Sequence, residues 1–257
     1  MNLKFIMPQS LRPTTSRSKE GHRTSRRSGI RKCCSDNHGF NGKLEDMYKF
    51  LVFTMLSFLV SGCQQGVTLG PGSETTLASA AQDECGFVQN VYGQRISWKT
   101  TLPINMFISK NVPSEYESIV RSAAKVWEDA AGMSLFNITN EDDISYDGSK
   151  DGRNGIYWNT NWTKSPNLQA MTTLYWTGNK ITESDMTVDA KYFRFYIEHP
   201  ELTSDLHLHS LIVHEFGHVL GLKHRSTLST VMWPVLNAGT KRDVLTEADR
   251  KALKCEY

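Results

Sequence analysis

An α+β fold is predicted for residues 85–257, and three observations predict it. Apolar residues switch between a period of two and a period of 3.6 in the order strand, helix, four strands, helix, helix. The helical stretches are bounded by capping residues and glycine. Finally, a histidine-rich pattern reads only as a helix followed by a turn, because its spacing places side chains on one helical face.

The first strand is Pro103-Ile104-Asn105-Met106-Phe107-Ile108, where apolar and polar residues alternate. Ser114 to Ala131 follows as a helix, with Ile119, Ala123, Val126 and Trp127 as its inner face. Ser114 with Glu117 three later reads as a capping box, and Gly132 ends the helix. Leu135–Ile138 is the second strand and Ile156–Trp158 the third. Between them, Glu141 to Gly155 is a loop dense in Asp and Gly. Its Asp147, Ser149, Asp151 and Gly152 resemble a calcium loop but lack the closing glutamate, so a solvated turn is expected and no calcium site. Met171–Trp176 is the fourth strand, and Asp185–Ala190 the fifth, extended toward Tyr196. A histidine-bearing helix covers Leu206–Leu220. The last helix runs from Leu245 to about Cys255, with Thr246 and Asp249 as its capping box.

The segment from His214 to His224 reads H-E-x-x-H-x-x-G-x-x-H. His214 and His218 stand four apart and can offer two imidazole nitrogens to one metal. Gly221 can take the positive φ that ends a helix, and the chain then returns His224 as a third ligand. Three protein ligands leave one position of a tetrahedral Zn²⁺ open for water, which marks a catalytic rather than a structural site. Glu215 is expected not to ligate but to take a proton from zinc-bound water. A helix carrying histidines by accident would show the whole pattern in roughly one chain in a hundred thousand. His207 and His209, just upstream, read as residues of the helix start or the surface.

This motif, together with Ser229-Thr230-Val231-Met232-Trp233-Pro234, resembles the metzincin zinc endopeptidases. Met232 follows His224 by eight residues, the short spacing of the matrixin branch. Arg225 stands where matrixins usually carry serine. The element order matches a matrixin catalytic domain over nearly all of residues 95–257. The resemblance implies a metzincin fold: a twisted five-stranded mixed sheet with an antiparallel edge strand, a zinc-carrying helix and a C-terminal helix. It also implies that Met232 packs as an apolar floor beneath the metal. Peptide substrate would lie against Ala170-Met171-Thr172-Thr173-Leu174-Tyr175 as an added strand, with Ala170 and Thr172 on that edge. Val235–Arg242 would wall the main specificity pocket, mobile at Asn237-Ala238-Gly239 and basic at Lys241 and Arg242. One zinc ion is the only cofactor expected.

The remaining features concern export. Residues 1–62 hold 11 Lys/Arg against 4 Asp/Glu, leaving 18 against 23 in the rest. The folded part is therefore mildly acidic and has no electrostatic footprint for nucleic acid. Met47-Tyr48-Lys49, the uncharged run Phe50–Val60 and Ser61-Gly62-Cys63 resemble a bacterial lipoprotein signal, with Cys63 the acylated residue; an ordinary secretory signal or a buried helix are the alternatives. Residues 1–46 read as an unused upstream start, a disordered leader or a long basic lead to the signal, and no fold is assigned to them. Residues 47–62 are the signal and residues 63–84 a lipidated cysteine plus flexible tether. Cys85 and Cys255 are the two cysteines left in the exported domain and read as a disulfide. Alternatively, Cys85-Gly86 is part of a matrixin-like latency switch in which a cysteine occupies the zinc's open position.

Together these readings describe a monomeric zinc endopeptidase acting on proteins or peptides outside the cytoplasm, held to an outer membrane or cell surface by lipid. The competing class is a catalytically retired zinc-binding lipoprotein acting as a binding module, from which Glu215 should have been lost first. A zinc-scavenging surface protein is a third class, disfavoured by the open coordination position.

Overall fold

In the computed structural model the described residues are 2–8, 82–142, 150–227 and 229–257. Cys63, the segment 47–62 and most of the tether lie outside them. Five strands make the expected mixed sheet: β2 (Ile104–Ser109), β3 (Phe136–Glu141), β4 (Gly155–Asn159), β5 (Leu168–Thr177) and β6 (Lys180–Asp189). A sixth, β1 (Asn2–Pro8), completes the order β1-β5-β6-β4-β2-β3. Pairings β2–β3, β2–β4 and β4–β6 are parallel, whereas β5–β6 and β1–β5 are antiparallel.

β1 gives a strand to residues 2–8 of the segment 1–46, to which the sequence assigns no fold; the rest of that segment lies outside the described residues. The register of β1 runs from Asn2 opposite Tyr175 to Met7 opposite Ala170. The physical reason is the edge itself. Without β1, the outer backbone groups of β5 would be unpaired, and any short extended segment can satisfy them. The polar stretch that follows Pro8 hid this seven-residue run from a periodicity reading.

β5 and β6 form a longer hairpin than expected, turning at Gly178, whose φ of +62° suits a tight reversal. Residues 180–184, the first half of β6, lie outside the predicted strand, where the charged Lys180 and Glu183 are poor strand formers; Glu183 and the next strand carboxylate, Asp185, both sit in the sheet. They are buried nonetheless, and loop amides account for it: Glu183 accepts from the Asp151 and Gly152 N–H groups and Asp185 from that of Gly155. Burial pushes the Asp185 carboxyl up to about 7. The fifth strand does not reach Tyr196; Phe195–Tyr196 (β7) instead pairs in parallel with Leu206–His207 (β8) as a separate two-stranded sheet.

The described residues also form three helices: α1 (Ser114–Ala131), α2 (Leu208–Val219) and α3 (Glu247–Leu253). The capping box at α1 is corrected. Pro113, with φ −54° and ψ 135°, holds the cap position, so Ser114 is already helical and makes no cap bond. Glu117 accepts from the Asn140 side chain instead. Gly132 ends α1 with φ 70°, and the Thr246–Asp249 box at α3 has both of its bonds.

α2 packs between α1 and the β5–β6 part of the sheet, and nearly every one of its residues is buried. Its carbonyls are anchored by three aromatic donors: Trp127 Nε1 to Val213 O, Trp98 Nε1 to Val219 O, and Tyr257 hydroxyl to Leu220 O. Cys85 and Cys255 are joined by a disulfide across 170 residues. Closing a loop of that length contributes about 3–5 kcal/mol.

Candidate metal centre

α2 delivers His214 and His218 one turn apart, and its end delivers His224. The Nε2 atoms of His214 and His218 lie 3.0 Å apart, and those of His214 and His224 3.3 Å. Each of the first two rings is oriented from behind. His214 Nδ1 donates to Val231 O at 2.7 Å and His218 Nδ1 to Leu222 O at 2.8 Å. A carbonyl only accepts, so Nδ1 carries the ring proton and Nε2 presents a bare lone pair. Such lone pairs facing one another repel unless a cation lies among them. The donor set therefore fits zinc, and it is the only group of three His, Cys, Asp or Glu among the described residues with metal-binding geometry.

Burial keeps the rings neutral, as ligands must be. His214 is pushed down to about 3 by burial and by His224. Burial also holds His218 well below its ordinary value, aided by the two neighbouring rings. His224 falls to about 4 through burial and the positive charge of Arg242.

The turn after α2 depends on Gly221. Its φ is +102°, and a Cβ there would lie 2.4 Å from Ile96 O. Val88 N donates to Gly221 O and Lys223 N to Gly86 O, so the turn is held by the chain's first described stretch after residue 82. Gly221→Ala should cost about 2 kcal/mol or more, since strained φ and a backbone clash act together. A lowered Tm accompanied by weaker zinc retention is the expected result, because His224 is displaced with the turn.

Met232 is buried against α2 at Gly217, where a Cβ would lie 2.3 Å from Met232 Sδ and 2.9 Å from Trp127. Gly217 thus lets the helix settle onto both side chains. The segment around Met232 also orients the ligands: Val231 supplies the carbonyl to His214, and Met232 O accepts from Arg225 N. Arg225, in place of the usual serine, takes part through its backbone.

Glu215 is not part of the group formed by the three histidines. It is fully buried, and its Oε2 accepts from the Thr172 hydroxyl at 2.5 Å, while Oε1 has no hydrogen-bond partner among the described residues. Burial pushes its carboxyl up to about 8, against the downward pull of the Thr172 bond. A bound divalent cation would favour the carboxylate. Ala170 and Thr172 sit on β5, whose outer edge carries β1 rather than lying open.

Sequence reasoning did not find the partner groups. Arg242 donates from its guanidinium to Val235 O at 3.0 Å and Trp233 O at 2.9 Å, and Gln169 Nε2 donates to Leu236 O. The wall segment expected to be mobile is tied by these bonds to itself and to β5. His207 and His209 are not ligands. His207 holds the cap position at the start of α2, as the helix-start reading has it, and is buried with its Nδ1 bonded to Ser210; His209 pairs with Asp243 at 2.9 Å. Of the loop that resembled a calcium site, residues 143–149 lie outside the described ones; Asp151 Oδ1 accepts from Arg153 N.

A comparison with protein families matches residues 97–257 to the matrixin model, peptidase M10. Among curated proteins, metalloendoproteinase 2-MMP of Arabidopsis thaliana is 36% identical over 56 residues, which are 22% of this chain and 15% of that protein.

Proposed function

The chain belongs to the matrixin family, and from that premise we propose that it is an active zinc endopeptidase of proteins outside the cytoplasm. The observation that carries this reading is the convergence of His214, His218 and His224 through Nε2 beside a buried glutamate. The chemistry that zinc held by these rings supplies is Lewis-acid polarisation of the scissile carbonyl and acidification of water. Glu215 accepts the proton of the attacking water at Oε1 and returns it to the leaving nitrogen. A peptide lies antiparallel along the outer edge of β5, in the position that β1 takes in this structure. Val235–Arg242 walls the pocket beside it.

The assay uses a chain beginning at Cys63, which lacks β1, beside the full chain. Cleavage of mixed protein substrates is expected, abolished by a chelator and restored by zinc, and slower in the full chain because β1 competes for the edge. Absence of cleavage in both, or cleavage indifferent to chelation, would overturn the reading.

Export and anchoring rest on Val60-Ser61-Gly62-Cys63. In this reading Met47 starts the protein, β1 is absent from it, and Cys63 carries the lipid. Cys63→Ala should move the protein out of the membrane fraction or block its processing. An unmodified N-terminus upstream of Met47, found by mass spectrometry, would contradict this.

A further inference from the structure

We propose that Thr172 is a positioning residue for Glu215, tying the proposed general base to the strand that receives the peptide. The inference rests on the endopeptidase reading and deepens it. Thr172 and Glu215 are both fully buried, and their oxygens lie 2.5 Å apart, within the short range of a hydroxyl donating to a carboxylate. The bond occupies Oε2 alone. Oε1 is buried without a hydrogen-bond partner among the described residues, so a single carboxylate oxygen is left for the reacting water.

The same residue faces the peptide position with its backbone. Thr172 stands opposite Phe5 of the added strand β1 and, on its other side, opposite Met186 of β6. Its backbone is therefore held on both sides when an extended chain occupies the edge. Side chains of a strand stand roughly perpendicular to the sheet, and that of Thr172 reaches α2. An added strand that stiffens β5 fixes the hydroxyl, and the hydroxyl fixes the carboxylate. Valine has the shape of threonine without the donor, and serine keeps the donor without the methyl.

The test compares Thr172→Val, Thr172→Ser and the parent, all as zinc-loaded full chains. A hydrogen bond to a charged group is lost, so kcat should fall about 10- to 100-fold in Thr172→Val. KM should stay within about twofold, and Thr172→Ser should recover most of the loss. A valine variant with parental kcat, or a serine variant as slow as valine, would overturn the proposal. Should the valine variant not fold, Thr172→Ala offers the same comparison. A second readout needs no activity: Tm values of metal-free Thr172→Val, Glu215→Ala and the double variant, since alanine removes the acceptor that glutamine would keep. Non-additive shifts are expected, and additive ones would refute the link. An inactive parent with non-additive shifts would instead refute the endopeptidase reading.

Discussion

Glu215→Gln is expected to lower turnover by at least about 100-fold while zinc content and fold survive, the usual scale of a lost general base. Glu215 follows His214 by one residue and so sits about 100° around the helix. Its side chain accordingly bonds Thr172 of β5 instead of joining the three rings. Glutamine keeps the size and can still accept from Thr172, but it has no basic oxygen. A second measurement checks the burial. In the metal-free protein the carboxyl is raised by burial to about 8 from the ordinary 4.5. The folded state thus binds the extra proton between those values. Its contribution to stability is full below the lower value and is lost as pH rises through the upper one. Between about pH 6.5 and pH 8, Tm of the metal-free parent should fall more steeply than that of the variant, and the two slopes should converge above that range. The buried histidines, all depressed, act only at lower pH and in the opposite direction. Near-parental turnover in Glu215→Gln would sink the proposed chemistry, and loss of zinc would make Glu215 a ligand.

His218→Ala is expected to lose zinc and activity together. It removes the nitrogen nearest to His214, at 3.0 Å, and leaves two rings that cannot hold zinc against competitors. It also leaves Leu222 O without its donor, in the turn that carries His224. An orphaned buried carbonyl costs about 1–3 kcal/mol, so a lower Tm accompanies the metal loss. In the parent, protons compete with zinc only as pH nears the depressed values of His214 and His224, about 3 and about 4. Zinc should therefore be retained on dialysis at about pH 5.5, below the pH at which exposed histidines charge. Stoichiometric zinc in His218→Ala, measured by elemental analysis, would remove His218 from the site.

Much of the site was legible because its parts are neighbours along the chain. His214, His218 and the Gly221 turn belong to one helix and its end, and the helix period alone decides which side chains share a face. Gly132 and the Thr246–Asp249 box were legible for the same reason, as each is a local hydrogen-bonding choice. The α1 box failed on an equally local point: Pro113 already satisfied the cap conformation.

The groups that orient the site were decided only by tertiary structure. Thr172 meets Glu215 across 43 residues, and Val231 meets His214 across 17. Nothing in a threonine within an alternating strand marks it as the partner of a buried carboxylate. β6 holds Glu183 and Asp185 against strand propensity because amides of a distant loop satisfy those carboxylates. β1 likewise formed where an edge was available rather than where periodicity was strong. The sequence by itself determined which three histidines group and the helix that carries two of them, since helical spacing and caps act over one or two turns. Which hydroxyl, carbonyl and strand complete the centre depended on the packing of α2 between α1 and the sheet, because burial makes an unpaired polar group costly and selects partners by position, not by distance along the chain.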